Sequence, residues 1–132
     1  MTRPNVRWHS LEPHEHDEQA VLFAWLALQH FHGAPLSDWY FHIPNGGKRD
    51  LPAAALLKTL GVKAGACDIF GMIPATPYHG HFIEMKRATR GWVSHEQRCF
   101  IERARAMGYC VDVCKGFESA QACIRDYLSL GR

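Results

Sequence analysis

Apolar residues recur along this chain with helical spacing in four stretches, which predict four α-helices. The first runs from Pro13 to about His32, and Gly33 follows it as a helix-ending residue. The other three predicted helices are Leu51 to Leu60, Ser94 to Met107 and Ser119 to Leu130.

Short apolar and aromatic runs lie between the helical stretches, and they predict four strands. These are Trp39 to Ile43, Asp68 to Ile73, His81 to Lys86 and Tyr109 to Cys114. The resulting order, α-β-α-β-β-α-β-α, predicts an α/β sandwich in which helices flank a small mixed sheet. We expect a single domain over residues 1–132, with its core at about 13–130.

Composition agrees with a globular protein of this size. A chain of 132 residues can bury roughly two-thirds of its unfolded surface in one core, and a hydrophobic content of 47% is ordinary. The longest apolar stretch, Ala20 to Leu28, is too short to span a bilayer, and the N-terminal residues lack the apolar core of a signal peptide. We therefore expect a cytoplasmic protein that makes no use of a membrane.

Cysteine and histidine raise the question of zinc. The five cysteines are odd in number and fall mostly on apolar positions, which indicates reduced core residues, and no C-x₂-C pair is present. Three H-x-H pairs leave open a small zinc-binding regulator, although such pairs are common in exposed loops. They are His14 with His16, His30 with His32, and His79 with His81.

Positive charge is concentrated in the middle third of the chain, although the net charge is only +2. Between Lys48 and Arg90 seven basic residues face three acids, Asp50, Asp68 and Glu84. Such an excess suits a surface that a phosphate backbone approaches, and a plain solvated basic face remains the alternative. Within this region Asn45-Gly46-Gly47-Lys48-Arg49 predicts a turn whose glycines admit close approach and whose basic residues can contact phosphate.

Two acids and a lysine stand at the ends of two predicted strands. Glu84 and Lys86 point to the same side of their strand, because side chains alternate along it. If the strand that begins at Asp68 pairs alongside, two carboxylates supply the hard oxygen ligands that Mg²⁺ or Mn²⁺ prefers. Lys86 can then hold the attacking water and offset phosphate charge. The alternative is an ordinary amphipathic strand.

Two further polar residues have structural competitors. Glu15 can turn toward the acids or can simply complement the helix dipole in its first turn, and Glu18 is a rival for the same role. Gln97 closes the sequence Ser94-His95-Glu96-Gln97, which fits a capping box.

Several blocks, in this order, resemble the VRR-NUC family, a branch of the PD-(D/E)xK nuclease superfamily. They are Glu15 with Gln19, residues 43–49, Gly61 through Gly65 to Asp68, residues 83–86, Ser94 to Gln97, and Gly108-Tyr109. The likeness covers Glu15 to Leu128, and Cys67 replaces the usual proline before the aspartate. It implies a restriction-endonuclease-like sandwich. Single-domain members look like phage or prophage proteins and are similar to Holliday-junction resolvases.

The resemblance also implies roles for individual residues. Asp68, Glu84 and the carbonyl of Met85 would bind Mg²⁺ or Mn²⁺, Glu15 would assist directly or through a water, and Gln97 would support a catalytic Lys86. DNA contacts are expected from Asn45, Lys48, Arg49, Lys63, Arg87 and Arg90. The expected protein is a homodimeric endonuclease for branched DNA, with Trp39, Tyr40 and Trp92 at its interface. A non-cleaving nucleic-acid-binding module of the same fold is the alternative.

Overall fold

The computed structural model describes residues 14–44, 51–89 and 91–131. Its helices are α1 (Glu15–Leu26), α2 (Leu51–Thr59), α3 (His95–Ala106) and α4 (Phe117–Leu128). Its strands are β1 (His30–Phe31), β2 (Ala34–Pro35), β3 (Tyr40–His42), β4 (Ile69–Gly71), β5 (His81–Lys86) and β6 (Cys110–Lys115), and a 3-10 helix covers Leu36–Asp38. No helix in these ranges is long and apolar enough to cross a membrane.

Four strands form the central sheet, in the order β3-β4-β5-β6. The first three are antiparallel, whereas β5 and β6 are parallel because the chain crosses over through α3 between them. One face packs on α1 and α4 through a core that includes Leu22, Ile83 and Ile124. The other face packs on α3 through a smaller core that includes Ile101 and Val111. The predicted sandwich about a mixed sheet is confirmed.

The first helix is shorter than its apolar spacing predicts. It ends at Leu26, and the residues up to Pro35 form a hairpin in which His30 pairs with Pro35. His32 and Gly33 both have positive φ, 50° and 80°, which makes the turn and is incompatible with a continuing helix. Leu28 is consequently exposed, while Phe31 is half-buried because the hairpin carries it onto Trp39. The prediction of a helix to His32 was wrong.

Smaller differences occur at other element ends. β4 covers only Ile69–Gly71 rather than Asp68 to Ile73, so Asp68 lies just before the strand. α4 begins at Phe117 rather than Ser119. All five cysteines are free thiols, of which Cys67 and Cys114 are buried.

Candidate active site

Asp68 and Glu84 lie next to each other at the end of the β4–β5 ladder. Ile69 pairs with Ile83, and extending this antiparallel register by one residue sets Asp68 opposite Glu84. One residue further along β5, the Met85 N–H donates to the side chain of Asp68 and not to a backbone carbonyl. Asp68 Oδ2 accepts this hydrogen bond at 2.8 Å. The N–H and C=O of one strand residue point the same way, so the Met85 carbonyl lies on the Asp68 side as well.

The Glu84 carboxylate is almost completely buried, with 2% of its surface exposed. Its Oε1 accepts a hydrogen bond from Gln97 Nε2 at 2.6 Å and lies 3.2 Å from Lys86 Nζ. Its Oε2 is also buried, and among the described residues it finds no hydrogen-bond donor. An ionised oxygen left in this way is costly, and a bound cation is one of the few partners that removes the cost. Two carboxylates and a carbonyl are oxygen donors of the kind that Mg²⁺ and Mn²⁺ take, so the residues present fit such an ion.

Lys86 is buried beside Glu84, with 7% of its surface exposed. Strand alternation puts both side chains on the α3 face of β5. Nζ donates to Gln97 Oε1 at 2.9 Å in addition to its contact with Glu84. These two contacts fix the position of the ammonium group and leave its third N–H for another acceptor.

Gln97 serves the helix end and the site together. Its Oε1 accepts from the Ser94 N–H at 2.9 Å as well as from Lys86, while its own N–H donates to Ser94 Oγ at 3.2 Å. The capping box is therefore formed, and the side-chain amide still reaches Glu84 and Lys86. The two roles do not compete, because a carbonyl oxygen has two lone pairs and the NH₂ group remains free for the carboxylate.

Gly65 holds the loop that carries Asp68 against the start of α3. Its φ is +85°, and a Cβ at this position would lie 2.5 Å from the carbonyl carbon of Glu96 and 2.8 Å from the backbone nitrogen of Gln97. No side chain fits in that space. The absence of a Cβ thus allows the Asp68 loop and Gln97 to approach from opposite sides of the site.

Burial makes the two acids weak. Burial raises the pKa of Glu84 to about 7, and the nearby Asp68 charge adds to the shift while Lys86 opposes it. Burial likewise raises the pKa of Asp68, although the Met85 N–H lowers it in part. The pair therefore holds a proton more tightly than exposed carboxylates do.

The two acids of α1 have different surroundings. Glu15 is half-buried, and its charge raises the pKa of both Asp68 and Glu84, which puts the first turn of α1 beside the pair. Its carboxylate does not join theirs in a compact three-ligand cluster within the described ranges. Glu18 instead caps α4, because its Oε2 accepts the Phe117 N–H at 2.5 Å.

Two of the six expected DNA-contacting residues lie in the described ranges. Lys63 is exposed on the loop before Asp68, and Arg87 follows Lys86 and is half-buried. Arg87 lines an open cleft of about 210 Å³ together with Glu15 and two histidines, His14 and His16. Asn45, Lys48, Arg49 and Arg90 lie outside the described residues.

His42 is a neighbour of the site that the sequence interpretation missed. It pairs with Ile69 across the β3–β4 ladder, and its Nδ1 lies 2.8 Å from the Asp68 carbonyl oxygen and 2.9 Å from Gln19 Nε2. Its charge lowers the pKa of Asp68. Only the strand register brings it there, so no local motif could have identified it.

Comparison with solved structures finds a likeness over almost the whole chain. A structure described as a "VRR_NUC domain protein" superposes with a TM-score of 0.81 and is 34% identical, over 90% of this chain and 91% of that one. No family model matches the chain, and no curated protein matches it. The likeness therefore extends well beyond a single motif.

Proposed function

This chain belongs to the VRR-NUC family, a nuclease-type family, and on that premise we propose that it is a divalent-metal-dependent DNA endonuclease that hydrolyses phosphodiester bonds. The observation that carries the proposal is the buried carboxylate of Glu84, whose Oε2 has no donor among the described residues and whose Oε1 contacts Lys86 and Gln97. Protein interiors rarely tolerate such an arrangement unless a function requires it.

Asp68, Glu84 and the Met85 carbonyl would hold Mg²⁺ or Mn²⁺. A bound ion would supply Lewis-acid stabilisation of the phosphate and would make the attacking water easier to deprotonate. The chain contributes the shape and charge of the site: Met85 N–H fixes Asp68, and Gln97 fixes Glu84. Glu15 does not form a compact three-ligand cluster with the pair in the described ranges, and its charge acts on both acids, so its proposed role is to orient a water near them.

Lys86 would act on the attacking water and on the phosphate. Its ammonium group is positioned by Gln97 Oε1 and Glu84 Oε1, which leaves one N–H to orient a water or to neutralise charge that develops on a phosphate oxygen. Gln97 is a positioning residue in this scheme, because it acts through Lys86 and Glu84.

DNA would be held mainly through its phosphates. Lys63 precedes Asp68 and Arg87 follows Lys86 in the chain. We propose that both contact phosphate, as would Asn45, Lys48, Arg49 and Arg90, which lie outside the described residues. Contacts of this kind position the duplex without reading its sequence, and they weaken as salt rises.

Branched DNA, such as a four-way junction, is the proposed substrate, and a homodimer is the proposed assembly. Two sites related by a two-fold axis match the symmetry of a junction, and the family resemblance supports both proposals. Trp92 is 83% exposed and is available for an interface, whereas Tyr40 is fully buried, so its expected contribution was wrong. The resemblance also supports a phage or prophage origin and action in the bacterial cytoplasm.

Cleavage of matched linear, flap and four-way DNA in Mg²⁺ or Mn²⁺ tests the proposal. We expect nicking that a chelator abolishes, with the four-way substrate cut fastest. Equal rates on all three substrates would reject junction preference alone. DNA binding without cleavage in either metal would reject the nuclease and favour a non-cleaving module.

A further inference from the structure

A second group of metal-binding side chains lies on the opposite face of the sheet from Glu84. His81 on β5 pairs in register with Cys110 on β6, and residues that pair in this way point to the same face. Asp112 is two residues further along β6 and therefore shares that face. Glu84 is an odd number of residues from His81, so it points to the other face, about 10 Å along the strand.

The three side chains converge on one point. His81 Nε2 lies 2.7 Å from Asp112 Oδ2, and Cys110 Sγ lies 3.7 Å from the same oxygen. The three ligand atoms all lie within 4.8 Å of one another. We propose that His81, Cys110 and Asp112 form a zinc site separate from the nuclease centre.

The separations approach those that tetrahedral zinc requires. With Zn–N and Zn–O bonds near 2.0 Å and Zn–S near 2.3 Å, the S···O separation is about 3.5 Å and the N···O separation about 3.3 Å. Sγ and Oδ2 already match. The histidine and aspartate must separate by roughly half an ångström, as the ion replaces the proton between them. Asp112 can make this movement, because its side chain is 34% exposed.

His81 is held in an orientation that presents Nε2 to the site. Its Nδ1 lies 2.8 Å from the Tyr40 hydroxyl, and its ring stacks on Tyr127 with 4.3 Å between centroids. Zinc-binding histidines commonly use their second nitrogen in an outer hydrogen bond of this kind. When zinc binds Nε2, the imidazole proton moves from Nε2 to Nδ1 and is donated to the Tyr40 oxygen. The Cys110 thiol releases its proton to solvent.

The site has an entry path and an open position. A surface cleft of about 230 Å³ is lined by Cys110 and Asp112, together with Tyr78 and Asp126. Solvent in the cleft can supply a fourth ligand. The donor set of nitrogen, sulfur and oxygen suits zinc and not Mg²⁺, which takes oxygen. The ion would join β5 to β6 near the start of both strands, three residues before Glu84.

Cobalt substitution tests the site directly on the full chain. Co²⁺ bound to a cysteine thiolate gives a charge-transfer band in the near ultraviolet, and Zn²⁺ displaces it. We expect the band to correspond to one thiolate-bound Co²⁺ per chain, to be lost in Cys110→Ser and to be kept in Glu84→Gln. Zinc affinity of Cys110→Ser and Asp112→Asn should fall by more than the roughly 10- to 100-fold that follows loss of an outer hydrogen-bond partner. Cys99→Ser is the matched control, because Cys99 lies 3.6 Å from His95 Nε2 in another cysteine–histidine pair.

Alkylation of the wild-type protein gives a second readout that no folding defect can obscure. Zn²⁺ should slow the reaction of iodoacetamide with Cys110, while Cys123, which lines the same cleft, keeps its rate. A band that disappears in Cys99→Ser and survives in Cys110→Ser would overturn the proposal. So would unchanged Cys110 alkylation in saturating zinc.

Discussion

Gln97 joins the stability of α3 to the arrangement of the active site. Ser94→Ala removes one half of the capping box but leaves the Gln97 amide in contact with Lys86 and Glu84. It should cost about 1 kcal/mol of unfolding free energy and change the cleavage rate little. Gln97→Ala should destabilise the protein to a similar degree and slow cleavage by about tenfold or more. Denaturant unfolding and single-turnover cleavage on both variants measure the two effects. If Gln97→Ala cleaves DNA as fast as Ser94→Ala, Gln97 has no role in positioning the active site.

Glu84 should make the stability of metal-free protein depend on pH. Its folded-state pKa, about 7, lies above its ordinary value of 4.5, so between these limits the folded chain binds more protons than the unfolded chain. The contribution of Glu84 to stability therefore falls as pH rises through that window. The test is denaturant unfolding of both proteins in a chelator, near pH 4.5 and again above pH 7. Between these two pH values the free energy of unfolding of the wild type should fall relative to that of Glu84→Gln. A difference that is independent of pH would contradict the raised pKa.

At the scale of elements, Gly65 controls how closely the Asp68 loop approaches α3. Gly65→Ala would place a Cβ against the backbone of Glu96. Gly61 has a similar φ of +98°, but a Cβ added there would have no atom within 4 Å, so Gly61→Ala is the matched control. Both variants should lose roughly 1 kcal/mol or more of unfolding free energy, because alanine is strained at positive φ. Only Gly65→Ala should also lose cleavage. Unfolding and cleavage measurements on the pair separate strain from displacement. Equal loss of cleavage in both would indicate that strain alone matters.

The sequence predicted the elements that depend on local patterns. The periodicity of Phe100, Ile101 and Ala104 and the capping box identified α3, and alternation placed Glu84 and Lys86 on one face. The β1–β2 hairpin was missed because Leu28 and Phe31 keep helical spacing, whereas the turn depends on positive φ at His32, where no glycine stands. Strand register brings His42 next to Ile69 and Cys110 next to His81, and a loop contact brings Gly65 against Glu96. These partners are distant in sequence, so no local pattern predicts the contacts.

The Glu18 cap illustrates the same limit between elements. The sequence left Glu15 and Glu18 as rivals, since both lie in the first turns of one helix. Glu18 contacts the start of α4, 99 residues away, and only tertiary structure reveals that contact.

At the scale of the whole molecule, junction cleavage requires two active sites to act together. Light scattering of the purified protein at micromolar concentration should give the mass of two chains. Trp92→Ser should shift the mass toward one chain, because Trp92 is 83% exposed. Trp39 is half-buried and makes an edge-to-face contact with Phe31 within its own chain. A wild-type protein that remains monomeric would contradict junction resolution but not strand cleavage.

The cleavage rate of Lys86→Ala tests the central claim most directly. Lys86 is buried against Glu84 and Gln97, whereas Lys115 is exposed on β6 and provides a matched lysine substitution. We expect Lys86→Ala to bind DNA like the wild type but to cleave it about 100-fold or more slowly in saturating Mg²⁺, and Lys115→Ala to cleave normally. A Lys86→Ala protein that cuts at the wild-type rate would show that residues 84–86 form an ordinary strand, and the proposed mechanism would be wrong.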